Sequence, residues 1–163
     1  LYQNQEFQLE PVGQEISEGD YSIVHIATHG EFDRDHRKSF LLTYDGKLTM
    51  SGLEKTIGSR RFQEDGIDLL VLSACKTAAG DDAAALGLAG VAIKAGAKSA
   101  LATLWYIDDE STSELVADFY RHLKEPGKTK ADALREAQLG LIYSEDHSHP
   151  VNWAPFLLIG NWL

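Results

Sequence analysis

The sequence has a single cysteine, Cys75, and so cannot close an internal disulfide. That removes the covalent stapling on which small secreted scaffolds depend and points to a reducing, cytoplasmic setting. Positive charge is also scarce: 15 Lys and Arg stand against 25 Asp and Glu, a formal net charge of -10. Nucleic acids and anionic membrane surfaces are held through a basic footprint, so neither is an expected partner. No apolar run approaches the ~20 residues needed to cross a bilayer, and the opening LYQNQEFQLE has neither the basic nor the apolar region of a secretory signal. Internal repeats and low-complexity stretches are missing as well. The chain starts at Leu1 rather than Met, so an upstream portion is expected.

What is present is enough for one core. The 163 residues are 44% hydrophobic, a length that buries one sizeable interior. Residues 1 to 20, with Pro11, Gly13 and Gly19, read as a loosely structured entry segment, possible remnant of a larger domain. Tyr21 to Thr28 reads as a buried strand that delivers His29-Gly30 to a loop. Phe40 to Thr43 and Lys47 to Met50 flank Tyr44-Asp45-Gly46, and the Asp-Gly pair predicts a hairpin. Ser51-x-x-Glu54 has the form of a capping box for a short helix ending near Gly58. Ile67 to Ser73 is almost continuously apolar, as a central parallel strand covered on both faces must be. A helix over Ala83 to Ala95, a strand over Lys98 to Trp105, helices over Glu110 to Lys124 and Thr129 to Tyr143, and a last strand over Phe156 to Ile159 complete the order. Strands alternating with helices long enough for crossovers predict an α/β layered fold, with a largely parallel central sheet and helices on both faces.

Two of these strands end at reactive residues, one at His29 and one at Cys75. In an open parallel sheet, neighbouring strands present their carboxyl ends at one edge, where binding crevices form. A thiolate is intrinsically nucleophilic, and one nearby imidazole suffices to raise its population and later protonate a leaving amine. The backbone N–H groups of Gly30 and Cys75 are candidates for the two oxyanion donors that acyl transfer needs. In caspases the histidine precedes a Gln-Ala-Cys-x-Gly signature by about 50 residues. Here His29 precedes Cys75 by 46 positions, and Ala74-Cys75 matches the signature's centre while Ser73, Lys76 and Thr77 depart from its flanks.

Four blocks, in order, carry a wider resemblance: His25-Ile26-Ala27-Thr28-His29-Gly30, Leu72 through Gly80 (LSACKTAAG), Leu104 through Asp109 (LWYIDD), and His149 through Phe156 (HPVNWAPF). The sequence resembles the CHAT domains, caspase-like peptidase domains related to caspases and separases and often attached to tetratricopeptide repeats. The resemblance covers about residues 21 to 163, read as the C-terminal catalytic part of such a domain. The family's usual earlier part, with the first strands of the sheet, would come from elsewhere. The resemblance implies His29 as general base and acid, Cys75 as nucleophile and Gly30 as oxyanion donor. It implies no cofactor and no metal, and an extended protein or peptide substrate. By a looser step, Asp109 resembles the separase aspartate that selects a basic P1 residue through a charge-assisted contact. Asp108 and Asp33 compete for that role, and Trp105 is a candidate groove wall as well as a packing residue.

Plainer readings stand beside these. A cysteine on a strand is usually an inert small hydrophobe. His25, four residues before His29, would share its face, but without a third ligand at metal spacing it reads as a hydrogen-bonded histidine, in the core or supporting the site from behind. Asp146, His147 and His149 read as a solvated loop, Trp153 as a packing residue, and Asp81-Asp82 as caps of the next helix ahead of lining for a basic-substrate pocket. The alternative to a peptidase is a catalytically silent or partner-activated interaction module on the same scaffold. A small-molecule acyl transferase using the same dyad is a third.

Overall fold

The structure is a computed structural model that describes residues 1–31, 36–59, 66–74, 90, 92–105 and 107–163. Its frame is a four-stranded sheet in the order β1 (Ile23–Thr28), β5 (Leu69–Ala74), β6 (Ser99–Thr103), β7 (Phe156–Gly160). The first three strands are parallel and β7 runs antiparallel to β6. A second, small antiparallel sheet joins β2 (Gly30–Glu31), β3 (Phe40–Leu42) and β4 (Lys47–Thr49).

The central strand β5 shows why the sequence takes this form. Successive side chains point to opposite faces, so Leu70 and Leu72 enter one core while Leu69 and Val71 enter another, all of them essentially without solvent contact. The first core is covered by helices α1 (Leu9–Glu18) and α2 (Met50–Gly58), through Val12, Ile16, Leu53 and Ile57. The second is covered by α3 (Asp109–Leu123) and α4 (Lys130–Ile142), through Leu115, Phe119, Leu134 and Ala137. Each fully buried leucine or isoleucine is worth about 1.5–3 kcal/mol, so a strand with two apolar faces has no competing place to go. Strand β1 is different. Val24 and Ile26 are buried under α1 and α2, while Ile23, His25 and Ala27 on the other face are exposed.

Three expectations change. The entry segment is ordered: α1 occupies residues 9–18 and buries Val12 and Ile16, one turn apart. Pro11 is tolerated there because the first turn has no intrahelical acceptor for its missing N–H. The helix start was invisible locally, since Gln8 gives no side-chain cap. Instead the Asp45 carboxylate of the distant hairpin accepts the Leu9 N–H at 2.9 Å, and the Tyr44 N–H donates to the Phe7 carbonyl at 2.8 Å.

The cap of α2 also moves. Thr49, not Ser51, occupies the N-cap, and its Oγ1 accepts the Gly52 N–H at 3.1 Å. The hairpin leads straight into the helix, so the last strand residue doubles as its cap. Finally, the loop at 144–149 is not simply solvated. His147 is held by Glu114 at 2.9 Å and its side chain is only 16% exposed, while His149 Nδ1 accepts the Val151 N–H to cap α5 (Pro150–Trp153).

Of the expected helix over Ala83 to Ala95, residues 83–89 and 91 lie outside the described residues. Residues 92–95 are helical and end at Gly96, whose positive φ of 117° suits a helix C-terminus. Among the described residues, no helix is long and apolar enough to cross a membrane.

Candidate active site

The parallel register of β1 and β5 runs from Ile23–Leu69 to Thr28–Ala74, so both strands finish at the same edge of the sheet. His29 follows Thr28 directly and is exposed there. Its backbone is pinned from the side by the small sheet: the Leu42 N–H donates to the His29 carbonyl at 2.7 Å, and Thr28 Oγ1 donates to the Leu42 carbonyl at 2.8 Å. The first of these bonds also orients Gly30. Antiparallel partners alternate between hydrogen-bonded and non-hydrogen-bonded pairs. Because His29 and Leu42 are bonded, the next pair in register, Gly30 and Leu41, is of the second kind. The Gly30 N–H is thereby turned away from β3. Cys75 follows Ala74 and lies outside the described residues, as do Asp33, Asp81 and Asp82.

His29 lines a cleft of about 1140 Å³ whose floor is the exposed face of β1. One wall is α3, through Asp109, Thr112, Val116 and Tyr120; the opposite wall is made by the N-terminal segment around Tyr2 and Phe7 and by the hairpin residues Leu42 to Tyr44. The cleft has two chemically distinct ends. Strand β6 rises to the edge where His29 lies and α3 returns from it, so Asp109 begins at that edge. Tyr120 stands 11 residues further on, about 16 Å down the helix. There it meets His25, the two rings being 5.8 Å apart.

At this lower end the His25 Nε2 is 3.0 Å from the Ser73 hydroxyl of the neighbouring strand. His25 is reachable by solvent through the cleft mouth, yet enclosed by protein on its other sides. That desolvation lowers its pKa below the ordinary 6.5 and favours the neutral imidazole. Burial likewise pushes the Tyr120 phenol up to about 12. The Tyr120 and Thr112 hydroxyls are sealed from solvent and have no hydrogen-bond partner among the described residues.

The remaining sequence candidates separate cleanly. Asp109 lines the cleft. Asp108 is the N-cap of α3, its carboxylate accepting the N–H groups of Glu110 and Ser111 and the Ser111 hydroxyl. Those bonds, led by the Ser111 hydroxyl, hold its carboxyl below the usual range. Trp105 packs against the core beneath α3 and donates its Nε1–H to the Val151 carbonyl at 3.1 Å, and Trp153 donates likewise to Ser148.

Asp108, Glu110 and His147 bring ligand-type atoms within 4.8 Å of one another. Their chemistry is already accounted for, because Asp108 caps a helix and His147 pairs with Glu114. Reading the sequence missed Ser73, Thr112 and Tyr120. The signal was available in part: Thr112, Val116 and Tyr120 recur every four residues, one face of a helix.

The CHAT domain family model matches residues 1–161. The chain belongs to the CHAT domain family. The match takes in α1 and the N-terminal wall of the cleft. A search of curated proteins finds no match. The CHAT family carries a caspase-like, peptidase-related fold, and the mixed α/β layering and largely parallel sheet agree with it.

Proposed function

We propose that the chain is a cysteine endopeptidase in which His29 and Cys75 act as a dyad on a protein substrate. The observation that carries this reading is the Thr28–Ala74 register, because the next residue on one strand is a histidine and on the other the sole cysteine. His29 follows Thr28, and Cys75 follows Ala74, by one peptide bond, ~3.8 Å between Cα atoms. His29 draws the proton from the Cys75 thiol, and the thiolate attacks the scissile carbonyl carbon to form a C–S bond. The oxygen that gains charge is received by the backbone N–H groups of Gly30 and Cys75. Collapse breaks the C–N bond, the imidazolium protonates the departing amine, and a water activated by the same imidazole hydrolyses the thioester.

Asp109, at the His29 end of the cleft, is the residue we assign to a basic P1 side chain. Asp109 lines the cleft, while the Asp108 carboxylate is committed to capping. The substrate is an extended segment of another protein, chosen with the help of an upstream portion or a tetratricopeptide-repeat module. A cytoplasmic compartment suits a free thiol.

The test is labelling of Cys75 by a peptide carrying a thiol-reactive electrophile after Arg or Lys, alongside cleavage of a peptide library. Labelling with cleavage, both lost in His29→Ala, is the expected result. Labelling with no cleavage of any peptide points to an acyl transferase. Absence of labelling, with or without partner proteins, points to a silent interaction module.

A further inference from the structure

His29 and Cys75 follow the carboxyl ends of β1 and β5, so whatever fixes the two strand ends relative to each other also fixes the dyad. One side chain bridges the strands on the cleft face. His25 belongs to β1, its Nε2 is 3.0 Å from the Ser73 hydroxyl of β5, and its ring is steadied by that of Tyr120, 5.8 Å away on α3.

Strand β1 has few other restraints on this side. It ends the four-stranded sheet and pairs within it with β5 alone, and parallel pairing is the weaker kind per residue. Val24 and Ile26 anchor it in the first core, whereas Ile23 and Ala27, which flank His25 on the cleft face, are exposed. The His25 bond is also placed to act near the strand ends. Its register partner is Val71, so the bond runs diagonally, two residues further along β5 to Ser73. Ser73 is the last residue but one of β5 and stands two before Cys75.

The chemistry of the pair favours geometry over stability. On this face Ser73 follows Leu69 and Val71, and His25 lies between Ile23 and Ala27, so two polar side chains meet among apolar ones. Replacing both partners of such a bond by apolar groups of similar shape is nearly neutral or stabilising, so an apolar pair would hold the strands together as well. What the hydrogen bond adds is direction: it weakens steeply away from ~3 Å and a straight approach, a demand that non-directional apolar burial does not make.

We propose that His25 is a positioning residue for the dyad: through Ser73 it fixes the carboxyl ends of β1 and β5 so that the His29 imidazole meets the Cys75 sulfur. This rests on the reading of His29 and Cys75 as a dyad. His25 itself touches no substrate and transfers no proton; its effect reaches the thiol through the alignment of the strands.

The experiment is the pH dependence of alkylation of the sole cysteine by iodoacetamide, run beside urea unfolding, in wild type, His29→Ala, His25→Leu, His25→Gln and Ser73→Ala. In wild type the thiolate should titrate below the ~8.5 of an unassisted thiol, and in His29→Ala close to it. His25→Leu and Ser73→Ala should each move the profile towards that of His29→Ala, with alkylation about tenfold slower at neutral pH. Their double variant should be no slower than the worse single one, because both remove the same contact. His25→Gln, whose amide reaches the place of Nε2, should restore the wild-type profile. The urea midpoint of His25→Leu should stay at or above that of wild type, since leucine suits the apolar face. A His25→Leu profile that matches wild type, while His29→Ala shifts, overturns the role of His25 and leaves the dyad standing. So does a shift that His25→Gln fails to reverse, or one that comes only with a lower urea midpoint, the mark of a merely structural residue. If Cys75 does not react, or if His29→Ala leaves the profile unmoved, the dyad itself fails and the positioning role falls with it.

Discussion

Thr28 and Ala74 are partners at the end of the parallel β1–β5 register, and the residues that follow them are His29 and Cys75. A shift of one residue in this pairing would move the histidine by about 3.3 Å relative to β5 and turn it to the other face. Register is held on both sides of the pair. Val24 and Ile26 bind it to one core, and the His25–Ser73 contact bridges the strands on the other face. The relationship yields the first prediction. His29→Ala should lower turnover of a library-selected peptide by about 10²–10⁴-fold, the range for a lost general acid–base group, and Cys75→Ala should abolish it. Because His29 is exposed, its replacement should move unfolding free energy by no more than about 0.5 kcal/mol. Denaturant unfolding of the His29 variant checks the second half, and wild-type-like turnover in either variant would reject the dyad.

Asp109 and Asp108 are adjacent in sequence and separate in role. Asp109→Asn should flatten the preference for Arg or Lys at P1 in a peptide profile, with kcat/KM for basic substrates falling more than for neutral ones, and should leave stability nearly unchanged. Asp108→Ala should instead cost about 1 kcal/mol through loss of the α3 cap, seen as a shift of the denaturation midpoint. A P1 preference that follows Asp108 would reverse the assignment.

How much of this was legible in the sequence depends on how local the signal was. The β5 run announced a strand covered on both faces, and Asp45-Gly46 announced the hairpin, because in each case the residues that set the structure are contiguous. Thr129 with Asp132 forms a capping box within one turn, and the helix expected from about Thr129 starts at Lys130 with Thr129 as its N-cap. α1 was missed because its helix start is capped by Asp45, 36 residues away. The floor of the cleft was missed for the same reason. Ser73 and Tyr120 become interesting only when β5 and α3 bring them to His25, whose hydrogen-bond partner, Ser73, lies 48 residues away.

The corrected cap of α2 separates two neighbouring residues. Thr49→Ala should destabilise the protein by about 1 kcal/mol, within the 0.5–2 kcal/mol seen for lost N-caps, because the Gly52 N–H then loses its acceptor. Ser51→Ala, inside the helix and exposed, should change stability by less than about 0.5 kcal/mol or raise it slightly, since alanine is the better helix former. Urea unfolding of the two variants side by side distinguishes them. The opposite ranking would restore Ser51 as the cap.

Two histidines should give opposite pH signatures. The His147 imidazole is raised above its ordinary 6.5 chiefly by its hydrogen bond to Glu114, with Asp108 and Glu110 adding negative charge nearby. A group whose pKa rises on folding contributes stability that is fully present below its unfolded value and fades as pH climbs through the folded one. The melting-temperature gap between wild type and His147→Gln should therefore be widest below pH ~6.5 and close with increasing pH. His25 has the reverse shift, lowered by desolvation. Its neutral form is the one the fold accommodates, so its contribution is present above pH ~6.5 and is lost as pH falls through the lowered value. His25→Gln should lose less stability than wild type on acidification, and melting curves recorded in steps from about pH 5 to pH 8 will show the two gaps moving in opposite directions. Parallel movement would mean that His147 is not held by Glu114 or that His25 is not desolvated by the protein around it.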